Sequence, residues 1–301
     1  MRVGVTGATG FLGRYIVSRL TADGHVCRCW YRPSSDLGGI DTKGGSVVWV
    51  EGSLGDPKAE AALVQDCDAV VHAALDRPGP GFRGAEGDVV SFVERNVLGT
   101  LRLIEAARKA GVGRFVFIST CAVHEAILDD RPLDETHPLW PRTHYGAHKA
   151  AIEAFVQSYG KGQGYPICAL RPTGIYGVAR PLRASKWYDL VSAVARGEEV
   201  ECLRGGKEVH AADVARAVAL LLNADAATIT GEAFACYDRY ISEFEVATIA
   251  KRLSGSQAVI AGAAPTPKNQ IVTEKIRALG MTFGGLPLLE ETIQALLAGT
   301  R

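Results

Sequence analysis

The opening stretch, Met1 to Gly13, constrains the chain more than any other. Arg2-Val-Gly-Val-Thr6 has the apolar content of a short buried strand, and Gly7-Ala-Thr-Gly10-Phe-Leu-Gly13 follows at once. Phe11, Leu12, Tyr15, Ile16 and Leu20 then recur at helical spacing. The order is strand, glycine turn, helix. Glycines in such a turn permit a tight bend, close approach of backbone to a pyrophosphate, and close packing of helix on strand. The helix N-terminus adds amide donors for the phosphate. A glycine pattern alone says little, but between a strand and a helix it predicts dinucleotide binding by Gly7, Thr9, Gly10, Phe11, Leu12 and Gly13. The fold class expected from such a unit is α/β, a doubly wound parallel (Rossmann) sheet.

Later segments extend the pattern. Val26 to Tyr31 is a second strand. An acid for the ribose hydroxyls is expected about 20 residues past the glycines. Here the strand runs into Arg32 instead. An arginine suits a 2′-phosphate, so NADP is the preferred cofactor, with NAD the alternative should Asp36 turn inward. Val47 to Val50 is a third strand, and Ser53 and Leu54 after it fall where an adenine pocket would lie. Asp68 to Ala74 is a fourth, ending in Ala73 and Ala74, small enough for the cofactor to approach; His72 is read as a hydrogen-bonded strand-end residue and not a catalyst. Asp76 to Asp88, rich in Gly, Pro and Arg, reads as a loop over the active site. A helix from Phe92 to Ala110 carries Asn96. Arg114 to Ile118 and Ile167 to Arg171 are the fifth and sixth strands. Ser119-Thr120 thus sits at a strand's carboxyl end, where open parallel sheets bind ligands.

Tyr145 and Lys149 lie four apart in an Ala-rich helical stretch, on one face and one turn from each other. A free phenol, with a pKa near ~10, is a poor base at neutral pH. A neighbouring ammonium favours phenolate, and lowering the phenol pKa by roughly three units takes about 4 kcal/mol. Such a tyrosine passes protons to and from an alcohol or ketone. Past Pro172 the strict alternation ends. Helices are expected over 187–196, 213–222 and 289–297, and Ser242-Glu-Phe-Glu245 is a capping box opening another. The expected division is a dinucleotide-binding domain over 1–171 and a smaller mixed α/β substrate lobe over 172–301, with helix 213–222 packing back on the first.

Composition bounds the partners. The 301 residues carry 33 Lys+Arg and 33 Asp+Glu, a net charge of zero that argues against a nucleic-acid or anionic-membrane surface. No apolar run reaches the length of a membrane span, and the first strand is expected to leave no room for a targeting peptide. The seven cysteines form no CxxC, so neither a metal site nor a disulfide framework is expected; the chain fits a reduced cytoplasm.

Several segments in order carry a resemblance: Thr6 to Gly13, Val71-His-Ala-Ala74, Asn96 to Thr100, Phe117 to Thr120, Tyr145 to Lys149, Arg171 to Gly177 and His210 to Val214. Over nearly its whole length the chain resembles an extended short-chain dehydrogenase/reductase of the NAD-dependent epimerase/dehydratase type. The resemblance implies Tyr145 as the proton-transfer residue, Lys149 on the nicotinamide ribose and lowering the tyrosine pKa, and Thr120 bonding the reacting oxygen. It puts Asn96 on a supporting helix at the cofactor, with Pro172 and Thr173 beside the cofactor too. Leu75, Cys121, Ala122, His124 and Arg180 become candidates for the substrate side, and Arg77, Arg83 and Arg183 further cations for an anionic substrate. It also implies a homodimer through the helices near 92–110 and 145–159.

Departures narrow the expectation. Cys121-Ala122 replaces the Asp-Glu pair of the dehydratases, so water elimination by that route is not expected. His124-Glu125 replaces the usual Tyr-Gly. Gly205-Gly206-Lys207-Glu208 lacks the arginine with which nucleotide-sugar members hold the diphosphate, so either Lys207 substitutes or that contact is missing. The function expected is an NAD(P)-dependent epimerase or dehydrogenase acting on a sugar or sugar nucleotide. The alternatives are an NADPH-dependent reductase of a non-sugar ketone or aldehyde, and a non-catalytic dinucleotide sensor.

Overall fold

The computed structural model describes residues 1–77 and 86–299 and, of Lys43, the backbone alone. Arg83, named above, lies outside the described residues. The chain begins with β1 (Arg2–Thr6), α1 (Phe11–Ala22), β2 (Val26–Tyr31) and β3 (Val47–Glu51). It continues through α2 (Pro57–Val64), β4 (Ala69–His72), α3 (Val89–Val93), α4 (Gly99–Lys109), β5 (Arg114–Ile118), α5 (His144–Gln157) and β6 (Ile167–Pro172). Then come β7 (Gly174–Tyr176), α6 (Tyr188–Ala195), β8 (Val200–Cys202), β9 (Gly205–His210), α7 (Ala211–Asn223), α8 (Ala226–Ile229) and β10 (Glu232–Cys236). The last are β11 (Arg239–Ser242), α9 (Glu243–Ser254), β12 (Ile260–Gly262), α10 (Glu274–Arg277) and α11 (Gly285–Ala298).

The contacts divide the chain into two compact units. The larger comprises Met1–Pro172, Val214–Cys236 and Ile271–Met281; the smaller comprises Thr173–Asp213, Tyr237–Gln270 and Thr282–Arg301. The units are therefore interleaved in sequence, and β10 and the stretch with α10 join the larger one along with most of α7.

The larger unit holds a seven-stranded sheet in the order β10-β6-β5-β4-β1-β2-β3, parallel throughout. Val3, Val5, Val70, Val71, Phe115 and Phe117 are buried completely, as strands covered on both faces must be. From β1 the chain builds outward to β3, then crosses back and lays β4 on the other side of β1. The strand order thus reverses between β1 and β4, and the carboxyl ends at such a reversal form a ligand crevice. Thr6 pairs with His72 there. Six of these strands are readable from sequence; the seventh, β10, is a short edge strand specified by its pairing with β6, where Phe234 lies opposite Leu170.

Among the helices that differ from expectation are two of the larger unit. α2 is absent from the sequence reading: Asp56 caps it, accepting from Lys58 N at 3.0 Å, with Pro57 at its first position. The helix expected over 92–110 starts earlier, at Val89 under an Asp88 cap, and passes through a π turn at Glu94–Leu98 before α4. In the smaller unit, β11-β9-β7 and β12-β8 make two small sheets around a core of Tyr176, Val191, Ile241, Val246, Leu289 and Ile293. Among the described residues no helix is long and apolar enough to cross a membrane.

Candidate active site

The glycine turn is built by close approach. Gly7 has φ +70° and its carbonyl accepts from Gly10 N at 3.0 Å. A Cβ on Gly13 would overlap that carbonyl, lying 2.7 Å from its carbon, so α1 can start this near β1 only with glycine there. A Cβ on Gly7 would lie 2.8 Å from the Ala73 carbonyl, so the turn after β1 touches the end of β4 across the strand reversal. Gly10 caps α1 without a side-chain bond, so no side chain of its own competes with an anion for the first-turn amides of Phe11, Leu12 and Gly13. Thr9 Oγ1 reaches Ser35 Oγ at 3.4 Å, and Ser35 Oγ accepts from Arg32 N at 3.0 Å. Arg32, exposed at the end of β2, is thereby tied to the turn. Arg14 donates to Thr9 O at 3.1 Å and to Gly38 O. Asp36 is held within its own loop, with Oδ1 accepting from Gly38 N at 2.8 Å and Oδ2 3.5 Å from Arg14 Nη2. Sequence reasoning missed Ser35 and Arg14; only their short distance from the turn signals them.

His72 ties the crevice together. Thr100 Oγ1 donates to Asn96 O at 2.6 Å, so it accepts from His72 Nε2, 2.8 Å away. The proton being on Nε2, Nδ1 accepts from Thr6 Oγ1 at 2.6 Å. Thr6 Oγ1 in turn accepts from Ala73 N and Ala74 N, each at 3.1 Å. Burial, and secondarily the Lys149 cation, pushes the His72 pKa down to about 3, so the ring stays neutral and the chain of bonds keeps one direction. Asn96 sits in the π turn. Its Oδ1 accepts from Asp76 N and its Nδ2 donates to Asp76 O, both at 2.8 Å, pinning the segment that carries Ala73, Ala74 and Leu75. Ser53 is exposed and Leu54 half-buried on the loop after β3, against Gly99 of α4.

The Tyr145–Lys149 helix is fixed at its start. Thr143 caps α5, its Oγ1 accepting from Gly146 N at 3.1 Å. Glu125 Oε2 accepts from Thr143 N and Thr143 Oγ1 at 2.9 and 3.0 Å, and Glu86 Oε1 accepts from Tyr145 N at 3.2 Å. Two carboxylates thus face the positive end of the helix dipole. Gly146 lets this end approach the turn after β5: a Cβ there would lie 2.7 Å from Ala122 O and 2.8 Å from Pro141 Cβ. Thr120 begins that turn, its Oγ1 accepting from Ala122 N at 3.1 Å. Lys149 is 5% exposed; Nζ donates to Ile118 O at 2.8 Å and lies 4.6 Å from the Phe117 ring centroid. Burial pulls its pKa down from 10.5 to about 7, while Glu153 pulls the other way. Lys149 and the start of α5 are thereby brought to the carboxyl end of β5, next to the turn that Thr120 begins.

Beneath them lies a polar cluster that the sequence did not reveal. Glu153, one turn past Lys149, accepts from Arg171 Nε at 3.1 and 3.0 Å and from Arg171 Nη2 at 2.6 Å. Ser119 Oγ donates to the same carboxylate. Arg171 Nη1 donates to His124 Nε2 at 3.1 Å and to Glu135 O at 3.2 Å, so His124 carries its proton on Nδ1 and donates to Pro138 O at 3.2 Å. Both ring nitrogens of His124 are thus committed inward, and burial and the Arg171 charge push its pKa down to about 4. Expected on the substrate side, His124 instead serves this cluster. Cys121 Sγ donates to Arg171 O at 3.0 Å, and Ala122 is buried. Pro172 closes β6; Thr173 opens the smaller unit, where Arg180 is exposed. Among the described residues no group of three His, Cys, Asp or Glu side chains is placed to hold a metal.

The chain belongs to the NAD-dependent epimerase/dehydratase family, whose model matches residues 3–236. It is 34% identical over 182 residues to 4-hydroxy-2-methyl-3-oxo-4-farnesyl-3,4-dihydroquinoline-1-oxide ketoreductase of Stigmatella aurantiaca, a match covering 59% of this chain and 51% of that protein. It is 32% identical over 190 residues to UDP-glucose 4-epimerase of Rhizobium leguminosarum bv. trifolii, covering 61% and 55%. The chain spans about half the length of the curated relatives it matches. Among solved structures, UDP-glucose 4-epimerase of Thermus thermophilus in complex with NAD aligns at TM-score 0.78 and 25% identity, covering 100% of this chain and 99% of that one.

Proposed function

We propose that this chain is an NAD(P)-dependent epimerase or dehydrogenase acting at an alcohol or ketone carbon of a sugar or sugar nucleotide, with Tyr145 as the proton-transfer residue. The observation that carries this reading is Lys149: a buried amine one helical turn past a tyrosine, at the carboxyl end of a parallel strand. Burying an ammonium is costly, and a scaffold gains nothing from it. Beside a phenol, the cation favours phenolate. Tyr145 as phenolate takes the proton of a substrate alcohol, and as phenol returns it to a ketone oxygen. Thr120 holds that oxygen by a hydrogen bond. The bound nicotinamide would supply the hydride chemistry, and the protein's part is to place and polarise. The glycine turn fits a pyrophosphate. Arg32, exposed at the end of β2 and joined to Thr9 through Ser35, favours the 2′-phosphate of NADP over NAD.

A second reading, an NADPH-dependent reductase of a non-sugar ketone or aldehyde, is favoured by one feature of β9. Where a diphosphate-binding arginine would help, β9 carries Gly206 and a buried Glu208 paired with Lys186 at 2.5 Å. The similarity to a ketoreductase points the same way. A sensor without chemistry would have no need of Thr120, Tyr145 and Lys149 together. The reading further includes a homodimer, for which Val90, Val93, Leu98 and Phe155 supply exposed apolar side chains on the two helices concerned. It includes a cytoplasmic setting, where seven free thiols persist.

The test is incubation of purified protein with a panel of sugar nucleotides and carbonyl compounds while following the absorbance of reduced nicotinamide. Epimer formation without net absorbance change supports the first reading; stoichiometric loss of NADPH supports the second. Tight cofactor binding with no turnover of any class would leave only the sensor.

A further inference from the structure

Glu153 and Arg171 are 18 residues apart in sequence, yet form the most buried ion pair among the described residues, with side chains 2% and 3% exposed. The pair joins three elements that make the site. Glu153 lies on the face of α5 that carries Tyr145 and Lys149, each one turn from the next. Arg171 is the penultimate residue of β6. Ser119, next to Thr120, bonds the same carboxylate from the end of β5. Each carboxylate oxygen receives at least two donors, so the carboxylate is fixed in place.

The surroundings of Lys149 make that charge matter. On β4, His72 is neutral; on α5, His148 is pushed by burial down to about 2 and is neutral as well. Phe117 of β5 offers a ring face and Ile118 a carbonyl. Tyr145 on the preceding turn is the group that the ammonium serves, and Arg171 from β6 is a like charge turned onto Glu153. Glu153 is therefore the acidic side chain that offsets the burial of the lysine.

We propose that Glu153 is a positioning residue of this site: through Arg171 and Ser119 it fixes the Ser119–Thr120 segment beside α5, and its charge holds Lys149 as an ammonium. An apolar pair of the same volume would often stabilise a protein more than a buried ion pair. The pair's value here lies in register and in charge. The effect on turnover rests on the function proposed above; the effect on the lysine does not.

The experiment is direct titration of Lys149 by NMR of lysine side-chain labelled protein, with the resonance assigned by its loss in Lys149→Met. In Glu153→Gln the lysine should titrate about one pH unit lower than in wild type, since an opposite charge has been removed. In Glu153→Asp, which keeps the charge, it should titrate close to wild type. Ser119→Ala leaves the ion pair intact and should leave the titration unmoved while lowering kcat at least about fivefold, with little effect on cofactor affinity. This variant decides the positioning claim should Glu153→Gln not fold. An unmoved lysine in folded Glu153→Gln, or wild-type kcat in Ser119→Ala, would overturn the proposal. If the chain proves to have no turnover at all, the titration still decides the charge claim while the enzyme reading fails separately.

Discussion

Lys149→Met exposes the physical basis of the site through stability alone. Burial lowers the lysine pKa from 10.5 to about 7, a difference worth at most about 5 kcal/mol at 1.36 kcal/mol per pH unit. The sign follows from proton counting. Below pH 7 folded and unfolded chains both hold the proton, and the folded state carries the full cost of a buried cation. Between pH 7 and 10.5 the unfolded chain holds the proton and the folded one releases it, so stability rises with pH. Methionine fills similar space without charge. The variant should therefore be more stable than wild type at pH 6.5, by roughly 2–5 kcal/mol. That advantage should shrink by about 1.4 kcal/mol for each pH unit above 7. Urea unfolding of both apo proteins at half-unit steps from pH 6.5 to 9 measures it, and taking the difference cancels the other titrating groups. A gap that stays constant across the range, or a wild type more stable at pH 6.5, would refute the reasoning.

Three further outcomes are expected. Gly146→Ala places a Cβ 2.7 Å from Ala122 O, so the start of α5 must retreat from the Thr120 turn. It should cost about 1–3 kcal/mol in thermal or urea unfolding and lower kcat at least about tenfold, with cofactor affinity largely kept. Gly13→Ala pushes α1 off the Gly7 carbonyl and should weaken NADP and NAD alike, by at least about tenfold in a fluorescence titration. Arg32→Ala should weaken NADP by about 1.5–3 kcal/mol, the scale of a charged hydrogen bond, and NAD hardly at all; equal losses would show that Arg32 does not read the phosphate.

What the sequence disclosed, and what it hid, follows from the range of the interactions. The glycine turn was legible because its chemistry lies within seven residues, Gly7 to Gly13, between a strand and a helix. Tyr145 and Lys149 were legible because one helical turn brings them together whatever else the chain does. Strands β7, β8 and β12, each three residues long, were not, since pairing across the smaller unit specifies them and three residues show no period. α2 was missed although Asp56-Pro57 is a helix start written in local terms. Glu153 reads as one polar residue in an Ala-rich helix until β6 delivers Arg171 to it. That same contact turned His124 from an expected substrate neighbour into an acceptor for Arg171. The parallel sheet itself was predictable from its apolar runs; its seventh strand, about 60 residues past the sixth, was not.

The most direct test of the central claim is Tyr145→Phe, assayed with whichever substrate class the panel reveals. The variant removes one oxygen from a half-buried ring and leaves Lys149, Thr120 and the glycine turn untouched. With Tyr145 as the proton-transfer residue, cofactor affinity should stay within about threefold of wild type, and turnover should fall by a factor of about 10² to 10⁴, the contribution of a positioned proton donor. Turnover at the wild-type rate would contradict it.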